Sequence, residues 1–538
     1  MSKLPQIHLC VQQPAGYVHS LGLLDQARYF RYQFRRLGAR VSLDKNRLRH
    51  DAVNFVFGAH LGFEAAQRER HACVFVNLEQ LGEGGARVSA SYLKLLANSA
   101  VVDYDAANRS AYAANPDDVP VVALLHAPYL KPEQSIALEE RPIDLLFIGS
   151  INERRRAWLD RIEALGLSIA MFDGPLYGPE RDRFIVQAKA VVNTHFYASS
   201  RFEQARVAHC LSLGTPVISE RAPQTQPHPA FEDCVLWLEG GQLEQFFAED
   251  FGTPAYFDVA RQALQRFEQA DPVEAYADLL AFAAGFAAEH HKRRAAQAWQ
   301  PQRINLGSGT AYKPGWLNID LHDAGEPDLV LDLAATLALP ISTATACHGQ
   351  IELAEHCADV IHAGQGVAEV RDLAALMGNA LRLLKTGGEF QLDVPGDFGP
   401  GAGRAAAQAL HEGLWLGCGE KFWALGWFSH RFEVLRCTPL DAEAKECARE
   451  QAVTTRVVLH KVETSLRERT TARALQFELR LPEDEVDTAH RYVFTASAAA
   501  NPPVAALVAH PAPVAATAPV PVNDALARLR REPLVAGV

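Results

Sequence analysis

The sequence predicts an α/β protein built from Rossmann-like units in series and ending in a flexible tail. Three observations predict it. Short apolar runs alternate with helical stretches from residue 6 to residue 220, and such alternation implies parallel sheets covered by helices on both faces. The alternation resumes at Arg303-Ile304-Asn305-Leu306, where a strand breaks at Gly307-Ser308-Gly309. After Val493 the chain turns Ala-, Pro- and Val-rich, a composition that cannot define a packed core. A chain of 538 residues is too long for one ordinary core. The expected boundaries are 1–135, 136–288, a linker at 289–302, 303–495 and a tail at 496–538.

In the first unit, strands are expected at Ile7–Val11, Val41–Leu43, Val53–Phe57 and Cys73–Leu78, with a helix over Leu23–Leu37. The first strand runs into the loop 12–22, which carries His19, at the end of an open α/β sheet where ligands gather. The second unit starts with Ile143–Ile148, a Gly149-Ser150 turn and a helix over Asn152–Leu165. Arg154, Arg155 and Arg156 stand in its first turns. A helix N-terminus favours an anion and a guanidinium adds bidentate contacts to phosphate, but three consecutive arginines point around the helix, so one or two serve a ligand and the rest are solvated.

Next come a strand within Leu167–Phe172, the turn Gly174–Gly178 with Tyr177, and a helix over Pro179–Ala188. A buried strand then ends at Asn193-Thr194-His195, a helix carries Glu203 and Arg206, and Val217–Glu220 is again a strand. Glu203 could hold ribose hydroxyls and Arg206 a diphosphate from one helical face; alternatively the two pair with each other on the surface. His195 faces a phosphate or is a satisfied polar residue below the site. The stretch from 255 to 300 is helix-rich, with a basic, solvated end at His290–Arg294.

In the third unit Gly307 and Gly309 let backbone approach a ligand, and Asp320, thirteen residues after Gly307, ends the next strand where it can accept both hydroxyls of a ribose. Asp328–Asp332 is another strand ending in acid. Asp359–Ala363 is the fourth strand, Leu373–Leu384 a helix, and Lys385-Thr386-Gly387-Gly388 a turn into a fifth strand.

Phe147–Arg155, Tyr177–Asp182, Ala188–Tyr197, Phe202–Arg206 and Gly214–Glu220 together resemble the second Rossmann domain of GT-B glycosyltransferases of the bacterial surface-polysaccharide and flagellin-glycan type, a resemblance that extends over about residues 5–285. It implies a nucleotide-sugar donor held by Gly149, Ser150, Arg154, Tyr177, Asn193, His195, Glu203, Arg206 and Glu220, and a glycan or glycoprotein acceptor across the cleft, with Asn77 and Glu79 near it. His19 is the candidate base. The commonest retaining pattern, Glu-x7-Glu, is broken here, because Arg201 and His209 stand at its two positions. The segments Leu306–Gly309, Asp328–Asp332, Asp359–Ala363 and Leu383–Gly388 are similar to class I S-adenosylmethionine-dependent methyltransferases. That implies Gly307 and Gly309 against the methionine part of the cofactor, Asp320 on ribose and Asp332 near adenine. Pro314–Asp320 and Phe422–Phe432 resemble a subgroup that travels with glycan-modifying genes. Its usual His-x-x-Glu-His is replaced by Gln365–Glu369, and a later polar segment by Gly399–Arg404.

The expected architecture is thus two Rossmann-like domains in GT-B arrangement followed by a class I methyltransferase-like Rossmann domain. The expected activity is sugar transfer, with methylation by the last domain; a non-catalytic binding module there, or a scaffold with both halves degenerate, are the alternatives. A net charge of −12 and a pI near 5.9 speak against a general nucleic-acid binder. Nine scattered cysteines form no metal pattern, so reduced thiols and no metal are expected. Without a signal-like or membrane-spanning run, the expected location is cytoplasmic.

Overall fold

Five consecutive residues, Ile7–Val11, form β1 and are all buried, as a strand covered on both faces must be. Around it lie β2 (Val41–Lys45), β3 (Val53–Phe57), β4 (Cys73–Asn77) and β5 (Ala100–Asp103), parallel throughout, in the order β2-β1-β3-β4-β5. Helix α1 (Leu21–Arg36) lays Phe30 and Phe34 on Phe55 and Phe57. All four rings are buried, at about 1.5–3 kcal/mol each, which decides the inward face of the helix. Two shorter helices, α2 (Gln67–Arg70) and α3 (Ala90–Ala97), flank β4; Ser89 caps α3 by accepting from Tyr92 N–H.

The structure, a computed structural model, describes residues 4–14, 16–172, 176–293, 298–333, 335, 337–364, 373–395 and 429–471. Its second sheet contains β6 (Ile143–Phe147), β7 (Ile169–Ala170), β8 (Ala188–Asn193), β9 (Val217–Glu220) and β10 (Leu236–Leu238), parallel and ordered β10-β9-β8-β6-β7. It is dressed by α4 (Glu153–Glu163), α5 (Gly178–Ile185), α6 (Gln204–Ser212), α7 (Leu243–Gln245) and α8 (Pro254–Phe267). The last helix of the run, α9 (Val273–Arg293), returns to the first sheet. Its Tyr276 packs edge-on against Tyr29, Phe30 and Phe34, so the chain closes the first core with a segment that follows the second.

A third parallel set follows, β11 (Arg303–Leu306), β12 (Leu317–Asp320), β13 (Leu329–Val330) and β16 (Ala358–Ala363), ordered β13-β12-β11-β16, with the antiparallel hairpin β14 (Ile341–Thr345) and β15 (Gly349–Leu353) inserted before its last strand. The hairpin escapes sequence patterning because its strands alternate weakly and its turn lacks an Asn-Gly or Asp-Gly pair. Residues from the loops and the short helix beside the first sheet grip this region. Arg70 stacks 3.9 Å over Trp299, which stacks in turn on His348 at 4.1 Å. His348 Nε2 meets the buried Asp328 carboxylate at 3.1 Å, His71 Nε2 bonds the Cys347 carbonyl at 2.7 Å, and Arg47 lies 4.0 Å over Tyr312 and pairs with Glu326 at 3.0 Å.

The chain divides into two compact units, residues 1–332 with 338–364, and residues 333–337 with 365–538. In the second, α10 (Leu373–Leu383) is tied down by Asn379, whose amide bonds the carbonyls of Leu333 and Ala335 at 2.8 Å. The strands β17 (Leu384–Pro395), β18 (His430–Leu440) and β19 (Thr454–Glu463) are antiparallel in the order β17-β19-β18, and the buried Lys461 ammonium donates to Leu384 O at 2.7 Å. Lys385–Gly388, expected as a turn, runs inside β17. The departures at Gln365–Glu369 and Gly399–Arg404, most of Phe422–Phe432, and the tail 496–538 lie outside the described residues. Among the described residues no helix is long and apolar enough to cross a membrane.

Candidate functional site

Strand order changes direction at β1/β3 in the first sheet and at β6/β8 in the second, and loops diverging from such points leave a crevice at the strands' C-terminal ends. A cavity of about 480 Å³ lies there, lined from the first sheet's side by Asp25, Gln26, Glu79 and Gln80 and from the second's by Gly149, Ser150, Tyr177, Glu203 and Arg206.

The second wall is built from the turn after β6. Gly149 sits at φ +136°, and a Cβ there would stand 3.0 Å from Arg155 NH1 and 3.2 Å from Arg206 NH2. Glycine is therefore required for two guanidinium groups to close on the turn. The Asn152 side chain caps α4 by accepting from Arg155 N–H at 2.9 Å. The Arg155 side chain, 2% exposed, donates to Thr194 O, Ser150 O and Glu203 at 3.0, 2.9 and 3.1 Å. Burial, then the nearby Arg206, push it down to about 10, which leaves it cationic at neutral pH. Arg206 NH1 donates to Asn193 Oδ1 at 3.1 Å, and among the described residues no carboxylate lies within 4.0 Å of its guanidinium.

Glu203 lies at the N-cap position of α6, not inside the helix. Its carboxylate takes Arg155, His195 Nδ1 at 3.1 Å, Phe196 N–H at 3.2 Å and Asn193 Nδ2 at 3.4 Å. Burial alone would raise this carboxyl; the His195 hydrogen bond and the charges of Arg206, His195 and Arg155 override it and hold it down at about 2. His195 is buried, with Nε2 2.9 Å from Thr225 Oγ1, so it supports Glu203 from below. Glu220 accepts both Arg154 nitrogens, at 2.8 and 2.5 Å, with Thr194 Oγ1 at 2.7 Å and His195 N–H at 3.0 Å.

The three consecutive arginines thus separate. Arg154 is turned to Glu220, Arg155 lines the cavity, and Arg156 pairs on the surface with Asp160 and Glu163. Sequence alone singles out Arg154; only the angular position on α4 decides for Arg155. Arg206 and Glu203 line the cavity but do not pair with each other. His19 is exposed at the rim, where its Nδ1 meets Tyr177 OH at 2.9 Å. Arg201 NH1 and NH2 reach back to Asn108 Oδ1 and Leu81 O beside the first sheet, while His209 Nε2 meets Asp182 at 2.8 Å and Arg181, which itself crosses to Asp25 at 2.8 Å. No pattern marks Asp25 or Arg181 in advance.

Substituting Gly149 by alanine is expected to cost about 1–3 kcal/mol, through a side chain at positive φ and displacement of both guanidinium groups. Thermal melting checks this, and an unchanged Tm would show that the turn relaxes freely.

In the third set, Gly307 and Gly309 adopt φ +59° and +44°. Asp320 accepts Gly309 N–H at 2.8 Å through Oδ2 and His322 N–H at 3.0 Å through Oδ1, while the Ser308 hydroxyl is buried with no hydrogen-bond partner. Asp332 lies exposed two residues beyond β13. An open Gly309, an acid with lone pairs left and an orphaned hydroxyl fit the ribose end of a nucleoside. Among the described residues there is no group of three or more His, Cys, Asp or Glu side chains that could hold a metal ion.

No protein-family model and no curated protein matches the chain. Solved structures do. HepE of Anabaena, in complex with UDP-glucose, is similar at 13% identity over 52% of this chain and 99% of that one, with a TM-score of 0.35. A glycosyltransferase from Rickettsia africae is similar at 9% identity over 54% and 100%, TM-score 0.35. A 16S rRNA (adenine(1408)-N(1))-methyltransferase from Catenulisporales acidiphilia is similar at 13% identity over 31% and 90%, TM-score 0.21. The structural neighbours include glycosyltransferases and methyltransferases. The strand order itself makes the chain a mixed α/β protein with parallel Rossmann-like sheets.

Proposed function

We propose that the chain is a glycosyltransferase that binds a nucleotide-sugar in the cavity between its first two sheets and transfers the sugar to a glycan or glycoprotein acceptor of a bacterial surface, working in the cytoplasm. One observation carries this reading: two guanidinium groups converge on the Gly149 turn, and that of Arg206 has no carboxylate partner among the described residues. Breaking a sugar–phosphate bond develops charge on a leaving diphosphate, which fixed cations and a helix N-terminus stabilise without reorganising. Arg155, Arg206 and the start of α4 supply that field, so the chemistry requires no metal ion. Calorimetric titration with a panel of nucleotide-sugars tests the reading; if none binds, it fails.

The Ser308 hydroxyl favours a second, additional site. There Gly307, Gly309, Asp320 and Asp332 would hold S-adenosylmethionine, which when bound supplies an electrophilic methyl group, and a methylated glycan would be the product. Asp320→Ala is expected to abolish measurable binding of S-adenosylmethionine, and an unchanged affinity would mean that the ribose sits elsewhere. Binding of nucleotide-sugar alone would instead favour a non-catalytic module.

A further inference from the structure

Three carboxylates line the cavity, those of Asp25, Glu79 and Glu203. Two are spoken for. Asp25 holds Arg181 at 2.8 Å, and Glu203 accepts from four donors. Among the described residues the Glu79 carboxylate meets only the imidazole of His60, with Oε1 3.5 Å from Nε2, and its side chain is 26% exposed to the cleft. Its backbone is nonetheless fixed. Asn77, fully buried at the end of β4, accepts Glu79 N–H at 3.2 Å and donates to Glu79 O at 3.0 Å, and Tyr92 OH and Asp103 hold Asn77 in turn. The His60 ring leans edge-on against Tyr92 at 5.7 Å, in the turn that Gly58 opens after β3 at φ +75°. A carboxylate on a fixed backbone, with an imidazole beside it and lone pairs directed into a cleft whose other wall is cationic, is built to take a proton.

Resting on the glycosyltransferase reading, we infer that Glu79, and not His19, is the catalytic residue that receives the acceptor's proton, with His60 as its positioning residue. The acceptor hydroxyl gives its proton to Glu79 as its oxygen bonds the sugar's anomeric carbon. The bond from that carbon to the diphosphate oxygen breaks, and the electron pair leaves with the diphosphate toward Arg155 and Arg206.

The test uses the full-length chain, the nucleotide-sugar selected by calorimetry, and water or simple methyl glycosides as acceptors, with release of the nucleoside diphosphate as the readout. Glu79→Gln is expected to bind donor within about threefold of wild type, which also reports a native fold, and to lose at least about a hundredfold in turnover, the low end for a missing general base. His60→Phe is expected to lower kcat by about tenfold at unchanged donor KM, with His60→Gln recovering most of it. Turnover by Glu79→Gln within threefold of wild type would overturn the assignment and leave the donor site standing. Failure of wild type to bind any donor would sink both.

Discussion

Arg206→Ala is expected to weaken nucleotide-diphosphate binding by roughly thirty- to hundredfold. A charge-assisted hydrogen bond to phosphate contributes about 2–3 kcal/mol, and among the described residues Arg206 has no carboxylate partner to compete for it. Because its one side-chain hydrogen bond among the described residues is to Asn193, the fold should lose little, and Tm should stay within a few degrees. Arg156→Ala is the control, since this arginine has the same charge but pairs with Asp160 and Glu163 away from the cavity. Equal losses in the two variants would reduce the Arg206 effect to net charge.

The second large effect concerns stability. Glu203→Gln leaves the buried Arg155 guanidinium without its carboxylate, and breaking a buried pair from one side costs about 3–5 kcal/mol. The dependence on pH has a definite sign. Glu203 is held below its ordinary value of 4.5, at about 2. Its carboxylate therefore contributes fully above about pH 4.5, and the contribution fades as pH falls toward 2, a shift equivalent to about 3 kcal/mol. Urea melts should show a gap between wild type and Glu203→Gln that is wide at pH 7 and narrows on acidification. A gap independent of pH would show that the loss is steric.

Strands buried on both faces were the most legible part of the chain. Ile7–Val11 and Val53–Phe57 are short runs in which a single polar residue, His8 or Asn54, interrupts apolar ones, and both appear at their expected bounds. Helix ends were less so: the helix expected over Asn152–Leu165 starts after its Asn152 cap and stops at Glu163. The Gly149 turn could be read because only glycine tolerates its φ. What the sequence withheld was direction. Glu203, Arg206 and Arg155 were visible as a cluster of charge, but whether Glu203 met a ligand, Arg206 or Arg155 depended on a helix that begins at Gln204, past Phe202 and Glu203, which it was expected to carry. Pairings across the cleft, such as Asp25 with Arg181, lie 156 residues apart and leave no local trace. The return of α9 to the first core was invisible for the same reason.

The stack of Arg70 on Trp299 on His348 also constrains how such a gene can change. A Cβ on Gly349 would stand 2.7 Å from the His50 ring, and the His50 N–H bonds the Ala346 carbonyl at 2.8 Å, so the hairpin is moulded to the first sheet's surface. Recombination that exchanged everything beyond residue 298 for a foreign module would have to bring a matching tryptophan, histidine and glycine with it. The first sheet's surroundings and the region from Trp299 to Gly349 are therefore expected to be inherited together.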